Sequence, residues 1–170
     1  MTTIAIRSEK PDDINAIAAL TSAAFESVPY SEHNEALIIN GLRDCGGLTF
    51  SLVAEQQGQL LGHIAVSAVS ISDGSGGWYG IGPLSVLPQH QRQGIGSRLM
   101  RAALEQLAAI QARGCVLLGQ PSYYQRFGFQ AVAGLSLEGV PAEYFMAHAL
   151  VGAYPQGKVT YHCAFNVAAA

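Results

Sequence analysis

The chain has 170 residues, of which 49% are apolar and only 12% charged. Such a composition gives a folded chain rather than a disordered one, and the length suits one domain spanning residues 1–170. The net charge of −3, with nine Lys and Arg in all, provides no basic footprint for nucleic acid. No run of about 18 apolar residues is present to span a membrane, and the first residues carry no secretory leader. The cytoplasm is therefore the expected compartment. Cys45, Cys115 and Cys163 are too far apart for a metal or redox motif and read as structural thiols.

In chain order, residues 3–7 alternate as a short strand. Pro11-Asp12-Asp13 starts a helix that Ile14, Ile17 and Leu20 continue to about Ser27. Ser31 and Glu35 open a second helix carrying Leu37, Ile38 and Leu42, which Gly46-Gly47 ends. Runs at Leu48–Glu55, Leu60–Ile71 and Trp78–Leu87, parted by turn-forming residues, predict an antiparallel meander. Ile95, Leu99, Ala103 and Leu107 then lie four apart, predicting a helix from about Gly94 to Gln111. Cys115–Leu118 is a short apolar strand. The strand–helix–strand order makes it parallel to Trp78–Leu87. Pro121–Arg126 reads as a short helix, Phe129–Val132 as a strand, Pro141–Met146 as a helical turn and Lys158–Ala164 as a last strand. His162 and Cys163 then point to opposite faces of that strand.

The informative segment runs from Leu84 to Leu99. A strand ends, a polar turn with Gly94 and Gly96 follows, and a helix begins. The mouth of a helix offers free amides and partial positive charge, and glycine lets a ligand approach the backbone, so this turn is a candidate phosphate cradle. Arg92 and Ser97 add donors. The spacing fits neither a P-loop, which needs Gly-Lys-Ser/Thr, nor the dinucleotide fingerprint, whose third small residue is replaced by Leu99.

Gln91-x-x-Gly94-x-Gly96 resembles the Gln/Arg-x-x-Gly-x-Gly/Ala signature of the GNAT N-acetyltransferase superfamily. Tyr123-Tyr124-Gln125-Arg126-Phe127-Gly128-Phe129 resembles a motif of one subgroup of predicted bacterial acetyltransferases. Val53-Ala54, Gly62-His63 and Gly82-Pro83-Leu84 resemble further segments of that subgroup, so the likeness covers about Ile4 to Phe165. It implies an α/β (α+β) fold: a mixed, mostly antiparallel sheet of six to seven strands flanked by helices, with parallel strands splayed at the site.

The resemblance also implies acetyl-CoA as co-substrate, with no metal. The pyrophosphate would lie on Gln91, Arg92, Gln93, Gly94, Ile95, Gly96 and Ser97, and the pantetheine arm along Leu84, Ser85 and Val86, beside Tyr123 and Arg126. A backbone amide near Val86 would hold the oxyanion, and Tyr124 would be the general acid for the leaving thiolate. Many relatives have a carboxylate base on the strand before the loop. Here Trp78–Leu87 contains neither carboxylate nor histidine, leaving a water wire, His63, Glu32 or Glu35 as bases. Segments 25–40 and 135–161 would choose the acceptor amine, which the sequence does not identify. An acyl-CoA-binding regulatory protein stays open beside the enzyme, and a homodimer is compatible with the likeness. A GNAT toxin acting on aminoacyl-tRNA is disfavoured by the negative charge.

Overall fold

The computed structural model describes residues 2–167. The first strand, β1 (Ala5–Ser8), is followed by a 3-10 turn at Pro11–Asp13 and by α1 (Ile14–Phe25). Asp13 anchors this entry, accepting from Arg7 Nη1 at 2.7 Å and from the Lys10 amide at 2.7 Å. Then come α2 (Glu35–Asp44), β2 (Leu48–Gln56), β3 (Gln59–Ala68), β4 (Ser70–Ile71) and β5 (Trp78–Val86). The run expected as one strand over 60–71 is thus two, because the chain leaves the first sheet after Ala68 to enter a second.

Helix α3 (Ile95–Ala109) follows, its buried residues Ile95, Leu99, Met100, Ala103 and Leu107 keeping the helical period. Next are β6 (Gly114–Leu118), the one-turn α4 (Pro121–Tyr124), β7 (Leu135–Leu137), β8 (Phe145–Ala149) and β9 (Gly157–Thr160). The main sheet has six strands in the order β1-β2-β3-β5-β6-β8. All its pairs are antiparallel except β5 and β6. A second sheet has the order β4-β9-β7.

Side chains alternate across the main sheet. Ile64, Val66, Leu52 and Ala54 pack under α3, whereas Val53 and Ala65 face α1 and α2. On that second face Trp78, Val116 and Ala147 pack against Ile71, Leu135 and Val159 of the small sheet. Gly62 sets the depth of α3. A Cβ there would meet Leu99 Cδ1 at 3.0 Å and Ile95 Cγ2 at 3.1 Å, so its absence lets the first turn of α3 sit on the sheet.

The meander, the long helix and the parallel β5–β6 pair occur as expected. The chain end departs from expectation. Residues 129–132 form no strand, only an isolated bridge between Gln130 and Ala147. Phe129 is instead a core plug, 1% exposed, with its ring 5.6 Å from His148 and 6.3 Å from Tyr124. The strand beside β6 is Phe145–Ala149, and the helical turn shrinks to Ala142–Tyr144. A short apolar run such as Phe145-Met146-Ala147 has no periodicity that separates strand from helix. Beyond Thr160 the expected strand gives way to a 3-10 turn over Cys163–Asn166. His162 Nδ1 caps that turn by accepting the Ala164 amide at 3.0 Å, so His162 and Cys163 do not sit on opposite faces of a strand.

Candidate active site

The site begins where two strands part. β5 pairs with β6 only from Trp78↔Gly114 to Gly80↔Val116. Past those residues β5 continues to Val86 and β6 to Leu118, with no pairing between them. The Leu87 amide donates to the Leu61 carbonyl of β3 at 2.9 Å. Strand alternation therefore turns the Val86 amide and carbonyl the other way, towards the gap. The Val86 carbonyl is met on that side by Gln91 Nε2, at 3.1 Å. This bond ties the glycine-containing turn to the end of β5.

In the turn itself Arg92 has φ 63° and Gly94 φ 83°, both left-handed. Such a curl gathers amides into a concavity suited to anions. Gly94 is also the N-cap of α3, and the first intrahelical bond is from the Arg98 amide to its carbonyl at 3.1 Å. The amides of Ile95, Gly96 and Ser97 thus open the helix with no preceding carbonyl, at the positive end of a 15-residue dipole.

This helix mouth and the parted strand face one cleft of about 560 Å³. Of the sequence-predicted residues, it brings together Leu84, Val86, Gln91, Arg92, Gly94, Ile95, Gly96, Ser97, Tyr123 and Arg126, and adds His90. Gln93 is exposed in the turn, its Nε2 3.5 Å from the Gln89 carbonyl. The Ser85 side chain is buried on the opposite face of the sheet, across from His63.

The far wall is aromatic. Tyr123 Oη lies 3.3 Å from Ser97 Oγ, so α4 is fastened to the α3 mouth. Arg126 stacks on the Tyr123 ring at 4.6 Å, leaving its charge at the cleft. Tyr124 meets Tyr123 edge-on at 4.9 Å and packs over Gly119, the residue just past β6. Burial, and then the neighbouring phenols Tyr123 and Tyr30, push the Tyr124 hydroxyl up to about 12. Tyr30, from the segment expected to face the acceptor, is itself 82% exposed. The cleft thus presents anion-binding amides and an open strand edge; Tyr124 does not line it but packs against Tyr123, its phenol protonated at neutral pH.

Of the candidate bases, Glu35 accepts the Ser31 hydroxyl at 2.6 Å, Glu32 lies 3.5 Å from Asn34 Nδ2, and His63 is fully buried. Sequence reading missed Gly119, although a glycine between strand and aromatic helix is a visible sign of a close approach. It also missed the Gln91–Val86 brace, which no spacing rule announces. Among the described residues, no group of three His, Cys, Asp or Glu could hold a metal ion. Among the described residues, no helix is long and apolar enough to cross a membrane.

Comparison with known proteins agrees with this geometry. A family model for the acetyltransferase (GNAT) domain matches residues 48–131, from β2 through the aromatic wall. The uncharacterized N-acetyltransferase YhbS of Escherichia coli K12 is 36% identical over 129 residues, 75% of this chain and 74% of that protein. The crystal structure of a GNAT family acetyltransferase from Brucella melitensis in complex with acetyl-CoA is 48% identical. It superposes with a TM-score of 0.87 over 96% of this chain and 98% of its own. The Escherichia coli YhbS structure in complex with CoA is 33% identical, with a TM-score of 0.88 over 98% of this chain and 94% of its own. With the parted β5–β6 pair and the α3 mouth in place, these likenesses show that the chain belongs to the GNAT acetyltransferase family.

Proposed function

We propose that the chain is an acetyl-CoA-dependent N-acetyltransferase that moves the acetyl group directly from the thioester to a primary amine of a small molecule or protein. The observation that carries this reading is the shared cleft, in which the α3 amides and the open edge of β5 face the same space. The complexes of the two similar structures with acetyl-CoA and CoA support it.

In this reading the amides of residues 91–97 take the pyrophosphate, with Arg92, Ser97 and Arg126 as further donors. The pantetheine arm runs along the backbone of Leu84, Ser85 and Val86, completing the edge that β6 abandons, and Tyr123 packs beside it. The Val86 amide donates to the thioester oxygen as charge develops there. The amine nitrogen attacks the carbonyl carbon, the C–N bond forms and the C–S bond breaks. Tyr124 gives its proton to the departing sulfur and is reprotonated from solvent. Burial suits Tyr124 to this role, because a phenol held protonated is a donor at every physiological pH. A phenol packed against the Tyr123 wall of the cleft favours turnover over a purely acyl-CoA-binding regulatory role.

Release of free thiol from acetyl-CoA across a panel of primary amines tests the reading. Amine-dependent thiol release and a matching acetylated product are expected. Tight acetyl-CoA binding with no release for any small-molecule or protein amine would instead mark a binding protein.

A further inference from the structure

Among the described residues, five buried side-chain atoms have no hydrogen-bond partner in the protein: Thr21 Oγ1, His63 Nδ1, Ser67 Oγ, Ser85 Oγ and Tyr161 Oη. They lie on one face of the sheet. His63 and Ser67 alternate with Ile64 and Val66, which face α3. In the β3–β5 register His63 stands opposite Ser85, and Ser67 opposite Gly80. The Tyr161 ring covers Gly80, where a Cβ would meet it at 2.9 Å. Thr21 is on α1, which packs on both strands. Gly80 is the last β5 residue paired with β6, and Ser85 lies in the stretch that lines the cofactor cleft. The strip of orphaned groups therefore runs beside the gap. Buried polar groups in such number are met by ordered water.

One end of the strip has a direction built into it. Ser51 Oγ donates its only proton to the Glu9 carboxylate. Its 2.7 Å contact with His63 Nε2 must then have the imidazole as donor. Assigned in this way from the network, the neutral ring carries its proton on Nε2 and aims the bare Nδ1 lone pair into the strip. Behind it, Glu9 is paired with Arg43 at 2.7 Å. Glu9, Arg43 and Ser51 line an open surface cleft.

We propose that this strip is the proton exit of the acetyl-transfer reaction, with His63 as its base. The inference rests on the acetyl-transfer reading above. The attacking nitrogen is most acidic once its bond to the carbonyl carbon has begun to form. Its N–H bond breaks then, and the proton passes through water held by Ser85, Ser67, Thr21 and Tyr161 to His63 Nδ1. The imidazolium holds its Nε2 proton on Ser51, whose hydroxyl stays bonded to Glu9, and sheds the Nδ1 proton through the same water to solvent once the amide has formed, which restores the starting tautomer.

The charged groups facing His63 are Glu9 and Arg43. Helix α1 contributes no ionisable side chain, Tyr79 of β5 faces the α3 side, and Tyr161 is a phenol that burial holds protonated. Burial pushes His63 down to about 4, outweighing the attraction of Glu9, so the lone pair is available at neutral pH. Glu9 is raised by burial but lowered further by Arg43 and Ser51. It stays a carboxylate that steadies a positive charge on His63 through Ser51.

Two measurements test the proposal. Nitrogen-15 NMR of the full chain at pH 7 should show His63 Nδ1 bare and Nε2 protonated. A protonated Nδ1 overturns the proposal, and the result needs neither acceptor nor turnover. With a primary amine that gives thiol release, His63→Gln keeps a donor to Ser51 but has no base. Its kcat should fall about 100-fold, and by a similar factor at a pH where the amine is already neutral, because the nitrogen sheds this proton only after its bond to carbon has begun to form; acetyl-CoA affinity should hold. An unchanged kcat, a loss that vanishes once the amine is neutral, or an equal loss of acetyl-CoA affinity overturns it. Failure of the acetyl-transfer reading would appear instead as no thiol release from the wild type.

Discussion

The Tyr124 ring packs so close to the Cα of Gly119 that a methyl group at position 119 would collide with its Cε2 and Cδ2 atoms. The aromatic wall is therefore set by the backbone just beyond β6. Gly119→Ala should push the ring aside while leaving the α3 mouth intact. The expected result is a 10- to 100-fold fall in kcat, on the order of one lost positioning interaction, with acetyl-CoA affinity changed less than about threefold. Steady-state kinetics beside calorimetry would separate the two.

Tyr124→Phe removes the proton but keeps the ring. Turnover should fall about 100-fold or more, and acetyl-CoA binding should hold. Because burial keeps the phenol protonated until about pH 12, wild-type kcat should show no falling limb from this group below about pH 10. A Phe variant with full turnover would remove the acid role.

His63 makes stability depend on pH, and its sign follows from its position. In the unfolded chain the imidazole titrates near 6.5, whereas burial lowers it to about 4 in the fold. Between those values the unfolded state binds the extra proton, so stability is full above pH 6.5 and is lost as pH falls towards 4. The drop attributable to this group is about 3 kcal/mol. Glu9, also held below its ordinary range, adds loss in the same direction. Urea unfolding of wild type and His63→Gln at pH 7.5 and pH 5 should show the steeper decline in the wild type.

Much of this was legible before any coordinates. Ile95, Leu99, Ala103 and Leu107 carried a helical period long enough to be unambiguous, and all four are buried on one face of α3. Gln91, Gly94 and Gly96 marked the turn because glycines after a strand let a ligand reach the free amides that a helix mouth offers. The chain end was less legible because strand identity there is decided by distant partners. Phe145–Ala149 is a strand because β6 offers it an open edge, and Phe129 is not because its ring fills a hole beside His148. The polar strip was invisible for the same reason. Thr21, His63, Ser67, Ser85 and Tyr161 are scattered in sequence, and only the register of β3 and β5 with the packing of α1 gathers them.

The most direct test is calorimetric titration of acetyl-CoA into wild type and Gly96→Glu. A Cβ at Gly96 would lie 3.2 Å from Tyr123 Oη and 3.8 Å from Val86 Cγ2, so a glutamate there would crowd the cleft wall and set negative charge against phosphate. A phosphate cradle at the α3 mouth predicts tight wild-type binding and a loss of about 100-fold or more in the variant, close to 3 kcal/mol. Equal binding by the two folded proteins would contradict it.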